Sequence, residues 1–310
     1  MPERFNSVLV YLPYNVRKSL DALPNELKKR VHEIRVKNGL PLSIVTDKEV
    51  VFPTSNSNYN SHENKIICSK EDINQIFRTI CGYSVYSHTE EIKRGFISLK
   101  GGHRVGICGS GMFEKDNLSV IKDISSFNFR IAREIFGASD SIIANFGGKL
   151  YSTLIVGSPG SGKTTILRDI SRRLANGTAG KFYRVFVADE RFELSASCDG
   201  AIQNNLGITV DVLCGIPKID ALKIGIRCFS PEVMIIDEIG SDYEAQMLTE
   251  CFFSGAKIIA TTHAKDEKDV MNKEFISKLI KNGVFEKVVI LKEGNQNGTI
   301  KHIYNSDELC

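Results

Sequence analysis

Nine residues in the second half of the chain constrain it more than any other feature. Gly157-Ser158-Pro159-Gly160-Ser161-Gly162-Lys163-Thr164-Thr165 satisfies the pattern G-x-x-x-x-G-K-[S/T], directly after the apolar run Ser152 to Val156. Glycines at these spacings let backbone N–H groups curl around phosphate oxygens. A helix opening near Gly162 aims its positive end at the same point. Lys163 then supplies charge to the β and γ phosphates, and the Thr164 hydroxyl is placed for Mg²⁺. The chain is therefore expected to hold ATP with Mg²⁺, on a strand, loop and helix belonging to a parallel sheet.

Further strand ends extend that expectation. Val233 to Ile236 is an apolar run closed by Asp237 and Glu238. A buried strand expels two carboxylates unless a cation or a water calls for them. Asp237 suits the second Mg²⁺ contact, and Glu238 suits polarisation of an attacking water. Lys257 to Thr262 leads into His263, which could contact the γ-phosphate. Phe186 to Ala188 closes in Asp189, Glu190, Arg191, Phe192 and Glu193. Asp189 and Glu190 could help hold Mg²⁺ or the lytic water, with Arg191 balancing their charge. Arg227, on the helix entering the Asp237 strand, is open to a structural or a phosphate-facing role.

The rest of residues 141–310 alternates strand and helix. Helices are expected at Gly162 to Leu174, Pro217 to Cys228, Asp242 to Phe253 and Glu267 to Lys281. Strands are expected at Tyr151 to Val156, Val185 to Ala188, Val284 to Leu291 and Thr299 to Tyr304, besides the two named above. The last two flank a glycine- and asparagine-bearing turn. Residues 1–140 read as a mixed α/β unit. Val16, Leu20, Leu23, Leu27, Val31 and Ile34 fall at helical spacing over Val16 to Val36, broken at Pro24. Short strands follow at Leu42 to Val45 and Val50 to Phe52, then a turn-like stretch over residues 53–64. Ser69 to Asp72 resembles a capping box opening a helix through about Cys81. Phe96 to Leu99 and His103 to Cys108 read as a hairpin across Gly101-Gly102, and Phe127 to Ala132 as one more strand. Two domains are expected, 1–137 and 138–310, in keeping with a length of 310 residues.

Composition removes several alternatives. Hydrophobic residues make up 42% and charged ones 25%, which excludes collagen-like and wholly disordered chains. A net charge of +3 is too mild for a strong nucleic-acid footprint, and the positive excess sits in residues 1–150. Lys93, Arg94, Lys100 and Arg104 lie near Phe96, but Glu90 and Glu91 interrupt them, so nucleic acid is an unlikely partner. The eight cysteines form no C-x-x-C pair, so zinc is not expected, and Cys68, Cys108 and Cys228 in apolar or mixed stretches are expected as buried thiols. No run approaches the ~20 apolar residues of a membrane helix, and no secretory leader is visible, so the expected location is cytoplasmic.

Four segments together carry a family resemblance. GSPGSGKTT, VADERFEL, RCFSPEVMIIDEIG and IIATTHA resemble the Walker A, Asp box, Walker B and His box of the type II/type IV secretion ATPase superfamily. EEIKRGFISLKGGHRVGICG, SFNFRIAREIFGASD and QNNLGITVDVL bring the chain closer to its stage III sporulation branch. The four-cysteine zinc insert of the type II secretion motors is lacking. The resemblance spans most of residues 80–265. It implies a C-terminal RecA-like P-loop ATPase domain, a mainly parallel sheet with flanking helices, preceded by a smaller mixed α/β N-terminal domain. It also implies a homo-hexameric ring, peripheral at the cytoplasmic face of a membrane-embedded complex between mother cell and forespore. In that family N-terminal-domain arginines close over nucleotide, which here would be Arg94 and Arg104. A nucleic-acid-stimulated RecA-like ATPase and a nucleotide-gated scaffold are the other readings of the same motifs.

Overall fold

The computed structural model describes residues 2–54, 64–114, 117–198, 200–293 and 298–309. Most of the stretch at 53–64, and the turn between the last two expected strands, lie outside them. The chain divides into two compact units. One comprises residues 1–133 with 198–203, the other 134–197 with 204–310.

The first unit is built on an antiparallel sheet. Its strands are β1 (Val31–Lys37), β2 (Ser43–Thr46), β3 (Val50–Val51), β4 (Phe96–Leu99), β5 (His103–Glu114) and β6 (Asn117–Arg130), in the order β3-β2-β1-β6-β5-β4. The turn between β4 and β5 needs glycine, since Gly101 and Gly102 sit at φ +86° and +77°. Against this sheet packs the helix Lys70–Ile80, burying Ile73, Ile76 and Ile80. Its start is the capping box that the sequence suggests: Asp72 N–H donates to Ser69 Oγ, and Ser69 N–H to the Asp72 carboxylate.

One expectation fails here. Val31 to Val36 is strand β1, and helix occupies only Tyr14–Asp21 and Asn25–Lys28. The register explains the error. Val31 pairs with Thr46 and Glu33 with Val45, so a bulge inserts one residue. Val31 and Ile34 consequently both face inward although three residues apart, which imitates a helical period. Two cysteines also differ from expectation: Cys108 and Cys228 are exposed, while Cys68 is buried. Ile107 points inward on β5, so its neighbour Cys108 points out.

The second unit is a seven-stranded sheet among the described residues. Its strands are β7 (Thr153–Val156), β8 (Val185–Asp189), β9 (Val210–Cys214), β10 (Val233–Ile236), β11 (Lys257–Thr262), β12 (Lys287–Leu291) and β13 (Ile300–Asn305). The order is β13-β12-β7-β11-β10-β8-β9, parallel throughout except for the β12–β13 hairpin. Both faces are covered, which is why β7, β8 and β10 are buried at every position rather than at alternate ones. Ile155, Val187, Ile235 and Ile259 pack towards the helix Lys163–Ala175. Leu154, Phe186, Met234 and Ile258 pack on the other face with Leu222, Leu248 and Leu279. Strand β9 and the helix Asp140–Phe146 have no counterpart among the expected elements. The expected helix Glu267 to Lys281 is two, Glu267–Asn272 and Glu274–Lys281, parted where Lys273 is extended at ψ 102°. Among the described residues no helix is long and apolar enough to cross a membrane.

Candidate nucleotide site

Parallel strands carry the candidate residues to one edge of the second sheet, because β7, β8, β10 and β11 all end there. Strand β7 runs into the glycine loop. Gly160 and Gly162 are left-handed, at φ +76° and +98°, and a Cβ at Gly157 would collide with Ser161 Oγ. Ser158 is half-buried, Pro159 and Gly160 form the exposed tip, and Ser161 is buried. Its Oγ has no hydrogen-bond partner, and its carbonyl accepts from Gly298 N–H at 2.8 Å. The helix then opens with Lys163, Thr164 and Thr165.

Lys163 is 6% exposed. Its Nζ donates to the carbonyls of Gly157 (2.7 Å) and Ser158 (2.9 Å) and lies 3.0 Å from His263 Nδ1. Burial pushes the ammonium below the usual lysine range, against the pull of Asp237 and Glu238. Thr164 Oγ1 donates to Asp237 Oδ2 at 2.9 Å, and Thr261 Oγ1 donates to Oδ1 at 2.7 Å. Asp237 is thus fixed between the loop helix and β11. From its other side, Glu238 Oε1 lies 3.5 Å from His263 Nε2, and Oε2 accepts from Arg191 Nη1 at 3.1 Å. Lys163, His263, Glu238 and Arg191 form one continuous row.

Thr164 and Asp237 suit Mg²⁺. That ion prefers one or two protein oxygens plus phosphate and water over a full protein cage. Among the described residues no three His, Cys, Asp or Glu side chains converge as a cage. The buried, unpartnered Ser161 hydroxyl inside the glycine loop is a donor of the kind a phosphate oxygen would take.

Two residues have other tasks than expected. Asp189 is turned to its own loop: it is 3% exposed, and its carboxylate takes four donors there. The N–H groups of Glu193 and Leu194 reach Oδ1, while the N–H and hydroxyl of Ser195 reach Oδ2. Arg227 is exposed in the last turn of Lys218–Phe229, a helix that runs back from the site, so it lies about 13 Å from Lys218 along the axis. Glu190 lines a small cleft with Asp189, Arg191, Lys218, Asp237 and Glu238. Arg94 and Arg104 belong to the first unit. Arg94 is exposed beside Gly95, and the Arg104 guanidinium lies 4.2 Å over the Phe96 ring.

Sequence reasoning missed Arg168, Lys218, Glu244 and the role of the Thr261 hydroxyl. Arg168, one turn into the loop helix, is half-buried with Asp237 and Asp189 among the acids near it, and burial draws its pKa below the usual arginine range. Lys218 carried a signal: a lysine in the first turn of a helix opposes the helix dipole and calls for a reason.

The family model described as sporulation stage III, protein AA, matches residues 3–309. The stage III sporulation protein AA of Bacillus subtilis (strain 168) is 31% identical over 304 residues, covering 97% of this chain and 95% of that protein. Two solved structures share the fold. The Legionella pneumophila ATPase DotB aligns with a TM-score of 0.55 at 14% identity, over 84% of this chain and 72% of its own. The pilus retraction motor PilT with bound ADP aligns at 0.56 and 9%, over 89% and 76%. The second unit accordingly has the RecA-like P-loop fold of the secretion ATPases, and the chain belongs to the sporulation stage III protein AA family.

Proposed function

We propose that the chain is a Mg²⁺-dependent ATPase that drives a secretion-like complex during endospore formation. The observation that carries the reading is the Thr164–Asp237 contact, flanked by Lys163 on one side and Glu238 on the other. In this reading the loop N–H groups and Lys163 bind the β and γ phosphates, and Thr164 and Asp237 hold Mg²⁺, which would neutralise charge on those phosphates. Glu238 accepts a proton from the attacking water, and His263 lies where it can feel the γ-phosphate. Glu190 adds negative charge beside that water.

Lys163 is committed to the ground-state phosphates, so a further cation is needed for the charge that spreads in the transition state, worth about 10³–10⁵ in rate. Arg94 and Arg104 of the first unit fill that role when the domains, 1–137 and 138–310, close within an assembled ring. By the family resemblance the chain would work as a homo-hexamer, cytoplasmic and peripheral at the mother-cell face of a membrane complex. The test is ATP hydrolysis by the full chain against protein concentration. Specific activity should rise with concentration, and Lys163→Ala chains mixed in should depress it beyond dilution. Activity independent of concentration would return the arginine role to residues of the second unit. Stimulation by single-stranded DNA would favour a nucleic-acid motor instead, and absence of hydrolysis under every condition a nucleotide-gated scaffold.

A further inference from the structure

Glu238 is the one residue in the row above with a left-handed backbone, at φ +59°. For a residue with a Cβ this conformation is costly and persists only where the surroundings over-determine it. Here five polar contacts tie down residues 238–240. On one side stands β11: Glu238 N–H donates to Thr261 Oγ1 (2.7 Å), Ile239 N–H to Thr261 O (2.8 Å), and Thr262 Oγ1 to Ile239 O (3.3 Å). On the other side stand two charged residues from different helices. Lys218 Nζ donates to the Glu238 carbonyl, and Glu244 Oε2 accepts from Gly240 N–H at 2.7 Å. Lys218 and Glu244 pair with each other at 3.1 Å, with side chains only 11% and 17% exposed.

We propose that Lys218, braced by Glu244, is a positioning residue that clamps the Glu238 peptide in its left-handed conformation and so aims the carboxylate at the lytic water. The ammonium sits opposite the carbonyl, and that contact is the only one of the five made to Glu238's own C=O. Without it, the peptide following Glu238 is held on its N–H side alone, by Thr261 O, and the Glu238 backbone can relax towards negative φ, carrying the carboxylate off the line through His263 and Arg191. The polar contacts of Lys218 go to the Glu238 carbonyl and to Glu244, and none goes to Thr164 or Asp237. Its loss therefore acts on turnover and spares nucleotide binding. This inference rests on the assignment of Glu238 as the base.

The experiment is steady-state ATP hydrolysis by the full chain carrying Lys218→Met, with Glu238→Gln measured beside it. Lys218→Met should lower kcat about 100-fold, the size expected of a misplaced reacting group, with KM for ATP and fluorescent-nucleotide affinity within about 2-fold. The double variant Lys218→Glu/Glu244→Lys keeps an ion pair but removes the donor from the Glu238 carbonyl, so it should stay as slow as Lys218→Met. Recovery of activity in that double variant would overturn the proposal, since a simple ion pair would then suffice. Lys218→Arg keeps charge and bulk but offsets the donors, and should lose several-fold in kcat at unchanged Tm. Wild-type kcat in Lys218→Arg, together with a Lys218→Met chain that does not fold, would assign Lys218 to stability alone. If Glu238→Gln keeps full turnover, the base assignment fails. If Glu238→Gln is dead while folded Lys218→Met runs at wild-type rate, only the clamp fails.

Discussion

Strands β8 and β10 are parallel neighbours, with Ala188 in register with Ile236, and each ends in Asp-Glu. The two dipeptides nevertheless do different work. Asp189 is consumed by its own loop, where four donors from Glu193, Leu194 and Ser195 saturate it. Asp237 is held instead by hydroxyls of other elements, Thr164 on the glycine-loop helix and Thr261 on β11. The chain beyond β8 turns back at once and wraps its aspartate. The chain beyond β10 passes through left-handed Glu238 and leaves, so its acids face outward to the loop. Equivalent strand ends thus yield one structural acid and one candidate site acid, and the following four or five residues decide which.

The sharpest way to break this comparison is at β10 and the glycine loop. Glu238→Gln should keep ATP binding and lose turnover by about 10²–10⁴-fold, the usual worth of a general base. Lys163→Ala should lose tight binding itself, and a fluorescent ATP analogue bound as well as by wild type would refute the phosphate assignment.

The class of consumed groups extends to the first unit, where a larger stability effect is expected than at Asp189. His103 is 1% exposed, its Nδ1 accepts from Ala132 N–H at 3.0 Å, and its Nε2 faces Ser7 Oγ at 2.8 Å. The Ser7 hydroxyl donates onward to the Arg4 carbonyl, so the neutral ring donates from Nε2. Burial, with Arg4 nearby, pushes its pKa down to about 4 from 6.5. The unfolded chain then binds the extra proton between those values, so stability is full above about pH 6.5 and falls as pH drops towards 4. The loss approaches about 3 kcal/mol. Urea unfolding of wild type and His103→Gln across that window checks it, and an identical pH slope in both would assign the effect elsewhere.

The paired aspartates come next. Asp189→Asn places an NH₂ against backbone donors and should cost about 1–3 kcal/mol of stability. Asp237→Asn should leave unfolding nearly unchanged and cut turnover. Reversal of that pattern would erase the distinction between the two strand ends. The smallest effect is expected at Glu190, which borders the same cleft but makes none of the contacts that fix Asp237. Glu190→Gln should lower kcat a few-fold, and full kcat would make it plain surface charge.

Some of this was legible from residue order alone. The glycine loop, the acidic end of β10 and the Thr-Thr-His end of β11 are local patterns, each an apolar run followed by polar groups, and parallel pairing brings them together whenever the runs form one sheet. The helix boundaries at Ser69, Gly162 and Ser241 were equally local, since a cap or a loop fixes them within a turn. Strand β1 was not legible, because its bulge shifts the inward spacing from two residues to three.

The sequence by itself determined that a glycine loop of the phosphate-binding pattern, a metal-suited hydroxyl and a strand-end carboxylate exist, because each depends on residues adjacent in the chain. Only the tertiary structure decided which acids remain available. Asp189 is spent on its own backbone, Arg227 is carried to the far end of its helix, and Lys218 reaches the Glu238 carbonyl from twenty residues away. Those outcomes turn on loop path and helix direction, which set distances between groups remote in sequence and leave no local pattern behind.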